Sequence, residues 1–188
     1  MSRPPSPRQS DASSGGEGLT VAGVFHQYAP FAWRILRRLG VAEADADDVC
    51  QEVFVTVHRR LAEFEGRSSV RTWVYGICMR TASDYRKRVR ARHEVAPDAH
   101  LDLAVAPGQE DDLSLTQARS VLDRILDGLD DDRRAVFVLY EIEELPMTDV
   151  CGILGCPLQT AYSRLHSARS EVEKAVARLR AREEARTP

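Results

Sequence analysis

The segment Leu145–Arg169, LPMTDVCGILGCPLQTAYSRLHSAR, joins a short helical stretch, a Gly-containing turn and a second helix whose first turns are polar. This is the helix-turn-helix pattern, and its chemistry is the reading of duplex DNA rather than catalysis. Helical spacing turns Ala161 and Leu165 inward and leaves Gln159, Thr160, Tyr162, Ser163 and Arg164 outward. Gln and Arg can make bidentate contacts to base edges, and Arg169 and Lys174 further along can meet phosphates. A plain helical hairpin whose polar face meets only water is the alternative for the same residues.

A second constellation lies in Val70–Arg92, where Trp73 and Tyr75 are interleaved with Arg71, Arg80, Arg86, Lys87, Arg88, Arg90 and Arg92. Aromatics two residues apart cannot share one helical stripe, so one of them faces out. Flat rings beside guanidinium groups suit unpaired bases and a phosphate chain. The competing reading places both rings in the core and the Arg run at a solvated helix end. A third group, Glu43, Asp45, Asp47, Asp48 and Glu52, lacks calcium-loop spacing and sits at a helix start. It suits a surface that docks something basic, or a solvated face.

Catalytic and metal chemistry find little support. Cys151 and Cys156 straddle a helix and its turn with only His166 nearby, a poor ligand set for zinc. Cys50 and Cys78 fall near core positions, and no His shows ligand or catalytic spacing. The chain carries no phosphate-cradling, dinucleotide, zinc-protease or nucleophile-elbow signature. No metal, no cofactor and no enzymatic activity are expected.

These residues must be held by elements drawn from a chain of 188 residues, 43% hydrophobic and 29% charged, enough for one ordinary domain or two small ones. Its longest apolar run, Ala135–Tyr140, is far short of a membrane span, so no membrane insertion is expected. Four cysteines do not suggest a disulfide scaffold, and a reducing, cytoplasmic location is expected. The formal net charge of −3 conceals segregation: residues 58–93 hold ten Lys/Arg against three acids (+7), and residues 94–132 hold two Arg against eleven acids (−9). Screening confines each block's field to about 8–10 Å, so the blocks act separately, either as polyanion contacts flanking a repelling segment or as solvated faces.

Apolar periodicity is helical wherever it is sustained, which predicts an all-α fold. Residues 1–18 read as a disordered tail. A first helix carries the stripe Val21, Val24, Phe25, Tyr28, Phe31, Ile35 and Leu36; Pro30 should kink or divide it, and Gly40 stops it. A second helix starts near Asp45 with Val49, Val53, Val57 and Leu61 inside. After a loop at Glu65–Ser69, with Ser68 or Ser69 as cap, a third runs from about Val70 to Arg92 on Val70, Trp73, Val74, Ile77 and Thr81. Residues 94–113 read as an acidic, flexible linker. Beyond it come a helix on Leu115–Leu129, another capped by Asp130 or Asp131, a short one near Thr148–Leu154, and a long one from Leu158 to about Arg182. The last shows Leu158, Ala161, Leu165, Ala168, Val172, Val176 and Leu179 at core spacing. The expected architecture is a bundle of three to four helices over 19–93, a four-helix domain over 114–182 with the helix-turn-helix, and a tail over 183–188.

The segment from Asp45 to Arg88, with Asp48, Gln51, Glu52 and Phe54 followed by Phe64, Gly66, Ser68, Ser69, Arg71, Thr72, Trp73 and Tyr75, resembles the second conserved domain of extracytoplasmic-function sigma factors. These are the smallest members of the bacterial sigma-70 family. Residues from Leu129 to Arg169 resemble their fourth conserved domain. The resemblance implies a protein that binds core RNA polymerase and directs it to promoters, without catalysis of its own. It implies polymerase docking through Asp47, Asp48, Gln51, Glu52 and Phe54. Melting and capture of the −10 element would fall to Gly66, Arg67, Ser68, Ser69, Arg71, Trp73, Tyr75, Arg80, Arg86 and Lys87. Reading of the −35 duplex would fall to Gln159, Thr160, Tyr162, Ser163, Arg164, His166 and Arg169. An anti-sigma factor is a further partner that the family alone implies. Tyr162 and Ser167 stand where relatives often carry basic residues, and Val70 and Cys50 where they carry Phe and Leu. Two other readings, a free-standing helix-turn-helix regulator and a sigma-like adaptor without DNA reading, leave the acidic and aromatic helices unexplained or rest on those two departures.

Overall fold

The computed structural model describes residues 19–95 and 121–184, and every regular element among them is a helix or helical turn. In chain order these are α1 (Val21–Arg38), a 3₁₀ turn at Glu43–Asp45, α2 (Ala46–Arg60), a 3₁₀ turn at Leu61–Glu63 and α3 (Val70–Val95). There follow α4 (residues 121–127), α5 (Asp131–Phe137), which widens into a π turn at Val138–Ile142, α6 (Met147–Leu154) and α7 (Leu158–Glu184). The expected N-terminal tail, residues 185–188 of the C-terminal one, the linker over 94–113 beyond Val95, and Leu115 and Ala118 lie outside the described residues; α7 runs two residues into the expected C-terminal tail.

Local chemistry accounts for most boundaries. Thr20 caps α1 by accepting from the Gly23 amide at 3.1 Å, and Asp130 caps α5 by accepting from the Arg133 amide at 2.9 Å. Ser69, rather than Ser68, caps α3: its Oγ accepts from the Thr72 amide at 3.0 Å. Pro30 does not divide α1, which runs on through it. The proline removes one backbone bond, but Phe31, Ala32, Ile35 and Leu36 beyond it are buried, and that burial outweighs the loss.

Side chains from both halves form one continuous core, with Ile35, Leu36, Leu39, Tyr75 and Ile77 from the first and Leu126, Leu139 and Leu165 from the second fully buried. The helix α3 is the central element of the first half and packs on α1 and α2, while also touching α6 of the second. Its buried set is wider than a single stripe: Val74, Tyr75, Ile77, Cys78 and Met79 are all enclosed, because neighbours lie on more than one side. Two apolar residues leave the core they were expected to join. Phe25 is 45% exposed and Leu158 is 51% exposed.

Gly40 joins the halves sterically. It sits at φ +87°, and a Cβ there would collide with the guanidinium of Arg134, itself buried and bonded through Nε to the Leu126 carbonyl at 2.9 Å. Gly40→Ala is therefore expected to lower stability by about 1–2 kcal/mol from the left-handed backbone alone, more if Arg134 is displaced. A chemical-denaturation midpoint unchanged from the parent would refute that.

Candidate nucleic-acid and docking surfaces

Three surfaces follow from this arrangement. On α2, burial of Val49, Val53 and Val57 turns Asp48, Gln51 and Glu52 to solvent within about one turn of each other. Asp47 accepts from the Trp33 indole at 2.9 Å, and Glu52 pairs with Arg88 at 3.1 Å. Phe54 does not face out with them. It is buried, edge-to-face with Phe25 at 4.9 Å between centroids, because its position follows Val53 on the inner face. What stands exposed beside the acids is Val55, together with Phe25 across from it. Neither was singled out from the sequence for this surface.

At the start of α3, the loop carrying Gly66, Arg67, Ser68 and Ser69 is exposed, with Gly66 at φ +68° and Arg67 paired with Glu65. Trp73 is half-buried against Phe64, ring centroids 5.1 Å apart. Of the two aromatics, Tyr75 is the inward one and Trp73 the outer, which resolves the spacing conflict. The Arg71 guanidinium lies 5.2 Å from the Phe31 ring centroid and 5.7 Å from that of Tyr75. Burial pulls the Arg71 pKa down, but the neighbouring Tyr75 and Glu143 more than offset this and raise it. Burial, then the Glu143 carboxylate, push the Tyr75 hydroxyl far up, so it remains a hydrogen-bond donor.

The remaining cations of α3 divide. Arg80 is exposed, its pKa lowered by partial burial and by Arg60, and Lys87 is exposed beside Asp84 at 3.5 Å. Arg86 is not a surface cation: it is buried, donates to the Leu39 carbonyl, and has Nε 2.9 Å from Asp131, which Arg90 also reaches at 2.7 Å. Its place one turn from buried Ala82 carries it under the second half of the chain. Burial alone would raise the Asp131 pKa, but Arg86 and Arg90 bring it below its ordinary 3.8. A carboxylate depressed in this way contributes at neutral pH and loses its contribution only as pH falls below that value.

In the helix-turn-helix, α6 ends at Gly155 with φ +63°, and the Cys156 amide reaches back to the Cys151 carbonyl at 3.3 Å, a glycine-terminated turn of the Schellman type. Ala161, Leu165 and Ala168 are buried against the domain, which aims the opposite face of α7 outward. Gln159, Tyr162, Ser163, His166 and Arg169 are exposed, and Thr160 and Arg164 half-buried. Leu158, Gln159, Tyr162 and Ser163 line an open cleft of about 430 Å³. Arg164 pairs with Asp132, and Arg169 with Glu141 at 2.5 Å over the Tyr140 ring. Among the described residues no group of three or more His, Cys, Asp or Glu could hold a metal ion, and no helix is long and apolar enough to cross a membrane.

The likeness to known proteins covers both halves. Residues 24–92 match sigma-70 region 2, and residues 119–172 match sigma-70 region 4. The chain is 34% identical over 166 residues to the RNA polymerase sigma factor YlaC of Bacillus subtilis, covering 87% of this chain and 96% of that protein. It is 29% identical over 148 residues to the ECF RNA polymerase sigma-E factor of Escherichia coli K12, covering 72% and 76%. Its fold resembles that of the sigma factor RpoE, solved with the anti-sigma factor NepR from Bartonella quintana, with a TM-score of 0.66, 20% identity, and coverage of 83% of this chain and 96% of that one. CnrH, solved with the cytosolic domain of CnrY, gives 0.61 at 22% identity, covering 84% and 87%. Two matching regions in series on an all-helical chain, and a relative that spans nearly all of it, place this protein in the sigma-70 family as an RNA polymerase sigma factor of the extracytoplasmic-function type.

Proposed function

We propose that α2 docks on core RNA polymerase through Asp48, Gln51 and Glu52, that the loop Gly66–Ser69 with Arg71, Trp73 and Tyr75 captures the melted −10 strand, and that α7 reads the −35 duplex. The observation that carries this reading is the exposed acidic face of α2 on the same small domain as the Trp73 platform and the basic start of α3. An acidic face suits a basic partner surface, and the Trp73 ring suits an unstacked base, with Arg71 on another side of α3 for the phosphate chain. A regulator working through α7 alone would need neither. Strand opening is then driven by binding energy to the extruded base and exposed strand, with no bond broken. The polymerase supplies the catalysis. Such a protein works in the cell interior, with the transcription machinery, and an anti-sigma factor is a fitting antagonist.

Run-off transcription with purified core polymerase tests the reading. Specific transcripts starting at one site on the promoter mapped after overexpression support it, and transcription no more selective than that of core polymerase alone overturns it. Within the −35 assignment, Arg164→Ala is expected to weaken duplex binding by about 1 kcal/mol, the lower end for a base contact, because Arg164 must first leave Asp132. Titration across salt checks this: a loss confined to the salt slope would make Arg164 a phosphate contact.

A further inference from the structure

A carboxylate from the second half of the chain sits in a cationic basin of the first. The Glu143 side chain is only 7% exposed and receives three donors: Arg38 from the end of α1, the Tyr75 hydroxyl, and Arg71 at 3.3 Å. Arg71 also donates to the Tyr75 oxygen at 3.4 Å while lying over the Phe31 ring, so the basin has a fixed aromatic wall. Two backbone irregularities deliver the carboxylate there. Residues Val138–Ile142 form a π turn, and Glu144 takes φ 55°, the only non-glycine residue at positive φ among those described. Left-handed backbone at a residue with a Cβ costs about 1 kcal/mol or more and persists where its surroundings hold it. Here backbone bonds from the Glu143 amide to the Val138 carbonyl and from the Leu145 amide to the Leu139 carbonyl, both 3.0 Å, flank it, beside the anchored Glu143 carboxylate.

Two guanidinium groups and a hydroxyl around one anion make a site that accepts a phosphodiester oxygen as readily as a carboxylate. We infer that Arg38, Arg71 and Tyr75 form a phosphate-binding basin for the melted −10 strand, and that Glu143 fills it as a stand-in anion in the free chain. Arg38 thereby joins the DNA surface, to which neither its position nor its surroundings in the sequence assigned it. The inference rests on the proposed −10 role of Arg71 and Tyr75, and extends it to exclusion: one anion occupies the basin at a time. Closure through Glu143, supported by Arg37–Asp123 at 3.7 Å and Arg86–Asp131, opposes strand capture. If about one free molecule in ten is open, apparent affinity for the strand is about tenfold below the intrinsic value. A polymerase that holds the halves apart removes the penalty, and by reciprocity the strand favours polymerase binding.

The test uses the full free chain, Glu143→Gln and Arg38→Gln, with the radius of gyration from small-angle X-ray scattering and binding of a short fluorescein-labelled oligothymidylate. Glu143→Gln keeps the side-chain volume and removes the charge. It is expected to expand the chain and to bind the strand about five- to tenfold more tightly. Arg38→Gln is expected to expand the chain as well, but without that gain, because it removes a phosphate contact together with the latch. An unchanged radius and affinity in Glu143→Gln overturns the latch, and Arg38→Gln binding as tightly as Glu143→Gln overturns the role of Arg38. Arg71→Ala holoenzyme separates this from the underlying reading. Normal promoter opening by that variant refutes the −10 assignment even where Glu143→Gln expands the chain. Defective opening beside an inert Glu143→Gln refutes the latch alone.

Discussion

Asp48→Arg is expected to cut binding to core polymerase by roughly thirtyfold or more while leaving the fold unchanged. Reversal replaces an attraction with a repulsion, and close interfacial charge pairs couple by about 1.5–7 kcal/mol. Asp48 is exposed on α2 with no ion pair or hydrogen bond among the described residues; it lies in the helix's first turn, where charge reversal costs about 1 kcal/mol against the helix dipole, too little to unfold the domain. Glu52 is a weaker choice, since Arg88 already holds it and its removal would also free a cation. Co-purification and competition against the parent protein would measure the loss, with far-ultraviolet circular dichroism as the folding control. Parental affinity in Asp48→Arg would move the docking surface elsewhere.

Trp73→Ala should impair promoter opening about five- to a hundredfold while closed-complex binding falls much less. Stacking of a base on an aromatic side chain contributes about 1–3 kcal/mol. Trp73 also packs on Phe64, so truncation removes apolar contact as well as the platform. Trp73→Leu keeps much of that contact without the flat ring, and the two variants should share the opening defect while only alanine shows the larger loss of thermal stability. Opening can be followed with a fluorescent base at −10, and closed-complex formation by filter binding. Equal losses in both steps, or restoration of opening by leucine, would refute a stacking role.

The helices and their caps were legible because they are local. Apolar spacing located the longer helices and turn residues the shorter ones; Gly40 and Gly155 marked ends, and of the two cap candidates read at each of two starts the structure uses Ser69 and Asp130. The departures come from long-range packing. Pro30 is tolerated because α1 is buried on either side of it. Phe25 and Leu158 satisfy the periodicity yet stay about half exposed, Phe25 meeting α2 only through the edge-to-face contact with Phe54 and Leu158 lining the open cleft on α7. Tyr75 and Arg86 are drawn inward because α3 is flanked on several sides, which a single stripe cannot express. Of the expected site, the acidic face and the exposed polar face of α7 were visible as patterns. Glu143 was not, since its partners lie 68 to 105 residues away along the chain. No spacing rule reaches that far.

The widened turn at Val138–Ile142 also makes chain length count at one point. A π turn fits one residue more than an α turn into nearly the same angle, so a deletion there can be absorbed by restoring α pitch, whereas an insertion finds no slack to take it up. Val138 and Leu139 are fully enclosed, so an inserted residue would have to turn one of them out. Substitutions on the solvent side of this turn should therefore be tolerated far better than single-residue insertions. A relative that carries an acid at this position and shares the turn would aim it in the same direction. One that lacks the extra residue and stays α-helical would keep nearly the same direction beyond it, so a gap in an alignment at this turn need not mean a change of role.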